Sequence, residues 1–193
     1  MSNKINPNSV NNDLRHELEM LKWSFLEYDA LVKQGPPLPG FVDPYPGTTF
    51  TPSEYGRRAP PTASDAQRKA IENWGAKKNW FIECFLLHAR NLTGFFWAIP
   101  KPHDDDIVAS RLYADWETVR PCWDHGQLQH LVNEISGTLS HLTTRRNNKV
   151  WDNEIRQMMN KFRGALEKLI EAANQDKFQD KSVQAAVASL DPV

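Results

Sequence analysis

The sequence predicts an all-α fold, a bundle of about five helices with a central apolar helix and a proline-rich strap. Three observations predict it. Five stretches carry apolar residues at alternating spacings of three and four, the signature of a helix with one buried face. No stretch alternates with period two over a useful length, so no strand is expected. The 193 residues, 40% of them hydrophobic, with 7 Trp and 9 Phe, suffice for one domain with a substantial core.

The first helix, in a segment covering 11–34, carries Leu14, Leu18, Leu21, Phe25, Tyr28, Leu31 and Val32 on one stripe. Asn12 or Asp13 is its expected cap, and the run Lys33-Gln34-Gly35-Pro36-Pro37 ends it. The strap, 35–62, follows and holds eight of the 13 prolines. Its Pro36-Pro37-Leu38-Pro39 run fits a minimal proline-rich docking sequence. Phe41, Tyr45, Phe50 and Tyr55 recur at near-regular intervals, unlike a disordered linker, which is poor in aromatics. An ordered strap lying across the helices is therefore expected.

The helical core, 63–174, opens at Ser64 or Asp65, either of which can cap the second helix. Its stripe runs Ile71, Trp74, Phe81, Phe85, Leu92 and Phe96, with Gly75 as a place to bend. Between Phe81 and Trp97 it is apolar almost all round, since Leu86 and Leu87 fall away from the stripe. This predicts a central helix surrounded by others. A short third helix begins at Asp104–Asp106 and carries Ile107, Leu112, Trp116 and Val119. Leu128, Leu131, Val132, Ile135, Leu139 and Leu142 mark the fourth. The fifth, from about Trp151 to Ala173, turns Ile155, Met158, Phe162, Leu166, Leu169 and Ile170 inward. The tail, 175–193, adds a short helix through Phe178, Val183 and Val187. The whole chain, 1–193, reads as a single helical domain.

The net charge of −1 argues against holding nucleic acid by charge alone, though it leaves room for a local basic patch. Two cysteines, Cys84 and Cys122, make neither a disulfide framework nor a metal-ligand spacing. The N-terminal residues lack the apolar stretch of a signal peptide, and the best membrane-span candidate, Trp80–Ile99, carries Glu83, His88, Arg90 and Asn91. A cytoplasmic bacterial protein without a membrane partner is expected.

The polar centre of the second helix is where function is sought. His88, Arg90 and Asn91 stand in an otherwise apolar run. A buried, unpaired arginine costs several kcal/mol, so Arg90 must reach solvent or a carboxylate. Asp104, Asp105 and Asp106 are the candidate partners, although a helix start explains three consecutive acids equally well. Three adjacent acids cannot all converge on one ion, and no metal or cofactor is expected. His141 and Arg145, four residues apart, share a face of the fourth helix and offer further groups to a site. In the structural reading His88 makes one core hydrogen bond and Arg90 snorkels or pairs. In the functional one His88, Arg90 and Asn91 line an internal pocket.

Arg90-Asn91-Leu92-Thr93-Gly94-Phe95 resembles the signature of HEPN domains, an arginine, then usually Asn, His or Asp, and a histidine four to six residues beyond the arginine. The resemblance implies an all-α bundle of the kind found in bacterial toxin–antitoxin modules, CRISPR effectors and other defence systems. Many such domains are metal-independent ribonucleases that act as dimers, with the arginine and histidine pairs meeting across the interface. Arg90 and Asn91 match; Phe95 stands where the histidine falls, and Phe96 and Trp97 fill the other permitted spacings. Arg120 and His125 also have a permitted spacing, but roughly one such pair is expected by chance, and the proline between them indicates a loop. With the acid/base of the motif replaced, the expected function is non-catalytic binding of a protein partner or a second copy. The alternatives are a divergent HEPN-like ribonuclease using His88 or His141 with Arg90 and Arg145, and a small-ligand binder using the polar cluster.

Overall fold

The fold is all-α. The computed structural model describes residues 10–41, 43, 52–99, 101–103, 106–140, 151–178 and 180–190. Among these, eight α-helices and no strand occur: α1 (Arg15–Gln34), α2 (Pro52–Arg57), α3 (Asp65–Trp97), α4 (Ala109–Leu112), α5 (Trp116–Val119), α6 (His125–Ser140), α7 (Asp152–Asn174) and α8 (Lys181–Ala188). The longest, α3, is the spine of the fold. Its start is set by a capping box, in which the Ser64 hydroxyl accepts from the Gln67 amide and the Gln67 side chain accepts from the Ser64 amide.

At the other end, Ala98 adopts a left-handed conformation and its N–H bonds the Gly94 carbonyl. The last carbonyls of α3 would be orphans, and two later side chains satisfy them. The indole N–H of fully buried Trp116 donates to the Phe96 carbonyl at 2.6 Å, and Arg120 donates to that of Trp97. This tertiary anchoring also explains a difference from the expected third helix. The 107–119 stretch is not one helix but two single turns, α4 and α5. Tyr113 between them is extended, its ring stacked on Phe178.

α1 runs antiparallel to α3, as its side-chain pairings show: Glu17 with His88, Phe25 with Phe85, and Trp23 with Phe81. Its start differs from expectation too. A π-helical turn, Val10–Leu14, leads into it, and buried Leu14, not Asn12 or Asp13, holds the cap position. Burying Leu14 in the core outweighs a polar cap worth about 1 kcal/mol. α6 and α7 close the core with Leu128, Val132, Ile135, Ile155, Met158, Phe162, Leu166 and Leu169. α8 adds Val183 and Val187 against α7 and the N-terminal turn.

A second, smaller cluster holds the strap to α3: Phe41, Tyr55 and Ala59 with Ile71 and Trp74. Beside it the Lys78 ammonium, its side chain wholly buried, meets Asp43 at 2.5 Å and lies 5.3 Å from the ring centres of both Tyr55 and Trp74. Gly75 is there for packing. A Cβ would overlap the Tyr55 ring, so the glycine admits the strap. Tyr45 and Phe50 lie outside the described residues.

The expected enclosure of the second helix is only partial. From Asn73 to Gly94, the residues of α3 that are not buried recur at spacings of three and four, tracing one open face. Leu87 is 44% exposed and Trp80 55%. An apolar pattern shows which positions avoid water in some assembly of the protein. It does not show that this chain's own helices do the covering.

Candidate functional site

The polar residues of α3 divide between two places. On the side facing α1, His88 and Asn91 converge on Glu17. The Nδ1 of His88 lies 2.8 Å from Oε2 of Glu17, and the Asn91 amide donates to both carboxylate oxygens at 3.1 Å. A carboxylate only accepts, so Nδ1 is the protonated nitrogen of His88. The His16 ring meets the His88 ring edge-on, 5.9 Å between centres. One turn back on α3, Cys84 lies half-buried; burial pushes its thiol up, the Glu17 charge adds to this, and the Ser24 hydroxyl opposes it. A thiol so raised is a poor nucleophile.

Glu17 is the residue that sequence reasoning missed, and a signal existed. Counting along α1, Leu14, Glu17, Leu18, Leu21, Ser24 and Tyr28 share one face, so a carboxylate and a hydroxyl sit inside an apolar stripe. Two polar gaps on one helix, facing a histidine and an asparagine on another, are what a buried polar contact between them requires.

Arg90 points elsewhere. Two residues along a helix amount to about 200°, which turns it away from His88 onto the open face. There it lines a groove of about 420 Å³ with Asn91, Gly94, Phe95, Lys101, His103, Asp106, Ile107 and Val108 as neighbours. It is half-buried and reaches solvent through this groove. The expected pairing with Asp104–Asp106 is not made by Asp106. That carboxylate accepts from the His103 amide at 2.7 Å, while Arg111 clamps the loop through the carbonyls of Asp106 and His103. Asp104, Asp105, His141 and Arg145 lie outside the described residues.

The arrangement therefore does not bring His88, Arg90 and Asn91 into one pocket. His88, 7% exposed, is oriented by a carboxylate, as a general base would be, but it is sealed between two helices. Among the described residues no group of three His, Cys, Asp or Glu side chains could hold a metal ion. Nor is any helix among them long and apolar enough to cross a membrane. Compared with protein-family models, with curated proteins and with solved structures, the chain matches none of them.

Proposed function

We propose that the chain is a non-catalytic helical-bundle protein that binds a protein partner in the cytoplasm, in the bacterial defence or toxin–antitoxin setting its HEPN-like residues imply. One observation carries this reading: the open face of α3 presents Trp80 and Leu87 to solvent, and exposed Trp23 of α1 packs on Trp80. Trp23 and Trp80 meet edge-on at 5.4 Å, so these are contiguous surface rather than scattered residues. Large apolar side chains gathered on one face, with Arg90 and Glu83 among them, have the composition of an interface core with a charged rim.

A divergent ribonuclease is the second reading. The Glu17–His88 pair, two residues from Arg90, is the observation in its favour. A photo-crosslinking residue placed at position 87 in cells that naturally make the protein separates the two. A crosslinked product of defined mass from position 87, lost on Trp80→Asp, together with no RNA cleavage by the purified chain, is the expected result. No crosslink at 87, with RNA cleavage abolished by His88→Gln, overturns it.

A further inference from the structure

We propose that the groove at the C-terminal end of α3 is a binding site for a small organic monocarboxylate, an apolar body carrying one carboxylate. The groove is centred on Gly94, roughly 10 Å along the helix axis from Leu87. The site stands whether or not the Trp80–Leu87 face holds a protein partner.

The first observation is charge without a counter-charge. Among the described residues, the lysines and arginines that are not fully exposed are otherwise matched. Lys78 meets Asp43 and Arg120 meets Glu117, while Arg15, Arg68 and Lys161 donate to backbone carbonyls. Arg90 is the exception: half-buried, it has no such partner. Lys101, on the loop that follows α3, lines the same groove and is also unpaired among the described residues. The acid on the groove wall, Asp106, has turned a carboxylate oxygen to the His103 amide at 2.7 Å. Two cations against one carboxylate leave the described lining short of one negative charge. The negative end of the α3 dipole does not supply it, because Ala98, Trp116 and Arg120 donate to the terminal carbonyls.

The second observation is the apolar side of the groove, made by Phe95, Ile107 and Val108, with Gly94 keeping the space above α3 open. A glycine inside a helix is unfavourable relative to alanine, so its presence wants a reason. Tyr55 gives Gly75 one. At Gly94, among the described residues, a Cβ would meet nothing nearer than the Ile99 carbonyl at 4.0 Å. A larger side chain there would stand in the groove. The facing wall is already shaped, since Arg111 holds the carbonyls of both His103 and Asp106. A wall fixed before binding costs little to order afterwards.

Charge and shape together select the ligand class. A guanidinium fork matches a planar carboxylate through two parallel hydrogen bonds, and Lys101 adds a second point of attraction. At about 420 Å³ the groove is near the small end of ligand sites, so it suits one ring or a short branched chain. A phosphate dianion would overshoot the missing charge and leave the apolar wall uncovered.

The test is calorimetric titration of the full chain with phenylacetate, beside phenylacetamide, inorganic phosphate and AMP. Phenylacetate should bind saturably with a Kd of about 1 mM or tighter, and the other three at least tenfold more weakly. Arg90→Gln and Lys101→Gln should each weaken phenylacetate by about tenfold, and Arg90→Lys, which keeps the charge but not the fork, by less. Gly94→Leu, shown by circular dichroism to be folded, should abolish binding. Lys168→Gln, on α7 and outside the groove, should leave it unchanged. In methyl NMR spectra phenylacetate should shift Ile107 and Val108 but not Ile71, which lies in the strap cluster. No saturable binding of phenylacetate overturns the proposal, as does binding indifferent to Arg90→Gln or to Gly94→Leu. Phosphate or AMP binding as tightly as phenylacetate overturns the carboxylate class. Absence of a crosslink at position 87, with phenylacetate still bound, removes the protein-partner reading alone.

Discussion

The two long faces of α3 treat their residues in opposite ways. Toward α1, even the polar groups are spoken for: His88 and Asn91 share Glu17. On the open face, even the apolar groups lack cover, Trp80 and Leu87 among them. One helix thus carries a satisfied polar cluster inside and an unsatisfied apolar stripe outside. The inner cluster is chemically the more suggestive, yet its closure marks it as a contact that fixes how α1 sits on α3. The outer stripe, chemically plain, is where the chain has something left to bind.

The sharpest break of this contrast is truncation on each face. Phe85→Ala, at a fully buried position between α1 and α3, should lower stability by about 3–5 kcal/mol through lost burial and a cavity. Leu87→Ala, two residues on, should stay within about 0.5 kcal/mol when measured on dilute protein, where association does not contribute. Chemical denaturation of both variants checks this, and equal losses would show that the outer face is covered within the protomer.

Next in size is Glu17→Ala. It leaves His88, 7% exposed, and the amide of Asn91 without their carboxylate, and should cost about 1–3 kcal/mol. A double-mutant cycle with His88→Ala isolates the pair. Coupling near zero would mean that Glu17 does not orient the histidine, and the case for a structural cluster would fall.

The smallest effect separates the two glycines. Gly75→Ala should destabilise, because its methyl group would displace the Tyr55 ring and loosen the strap. Gly94→Ala should leave the protomer unharmed or raise its stability by about 0.5–1 kcal/mol, since among the described residues the methyl would meet nothing nearer than the Ile99 carbonyl at 4.0 Å. Thermal melts of the pair, again on dilute protein, read the difference; destabilisation by Gly94→Ala would point to packing over Gly94 within the protomer.

Much of this protein was legible in the order of its residues. Helix periodicity located every long helix, because burying one stripe requires spacings of three and four whatever lies opposite. Ser64 and Gln67 set the start of α3 by chemistry confined to four residues. Glu17 stood in an apolar stripe and was open to reading, though nothing local said which residues, 71 and 74 positions later, would face it. Tertiary structure alone decided the rest. It split the 107–119 stretch by tying Trp116 to the end of α3, gave Gly75 its purpose through Tyr55, and turned Arg90 into a groove instead of onto Asp106. It also left Trp80 and Leu87 in water. A sequence encodes which side chains avoid water; which neighbour covers each one depends on how the helices are placed, and that is a property of the assembled chain.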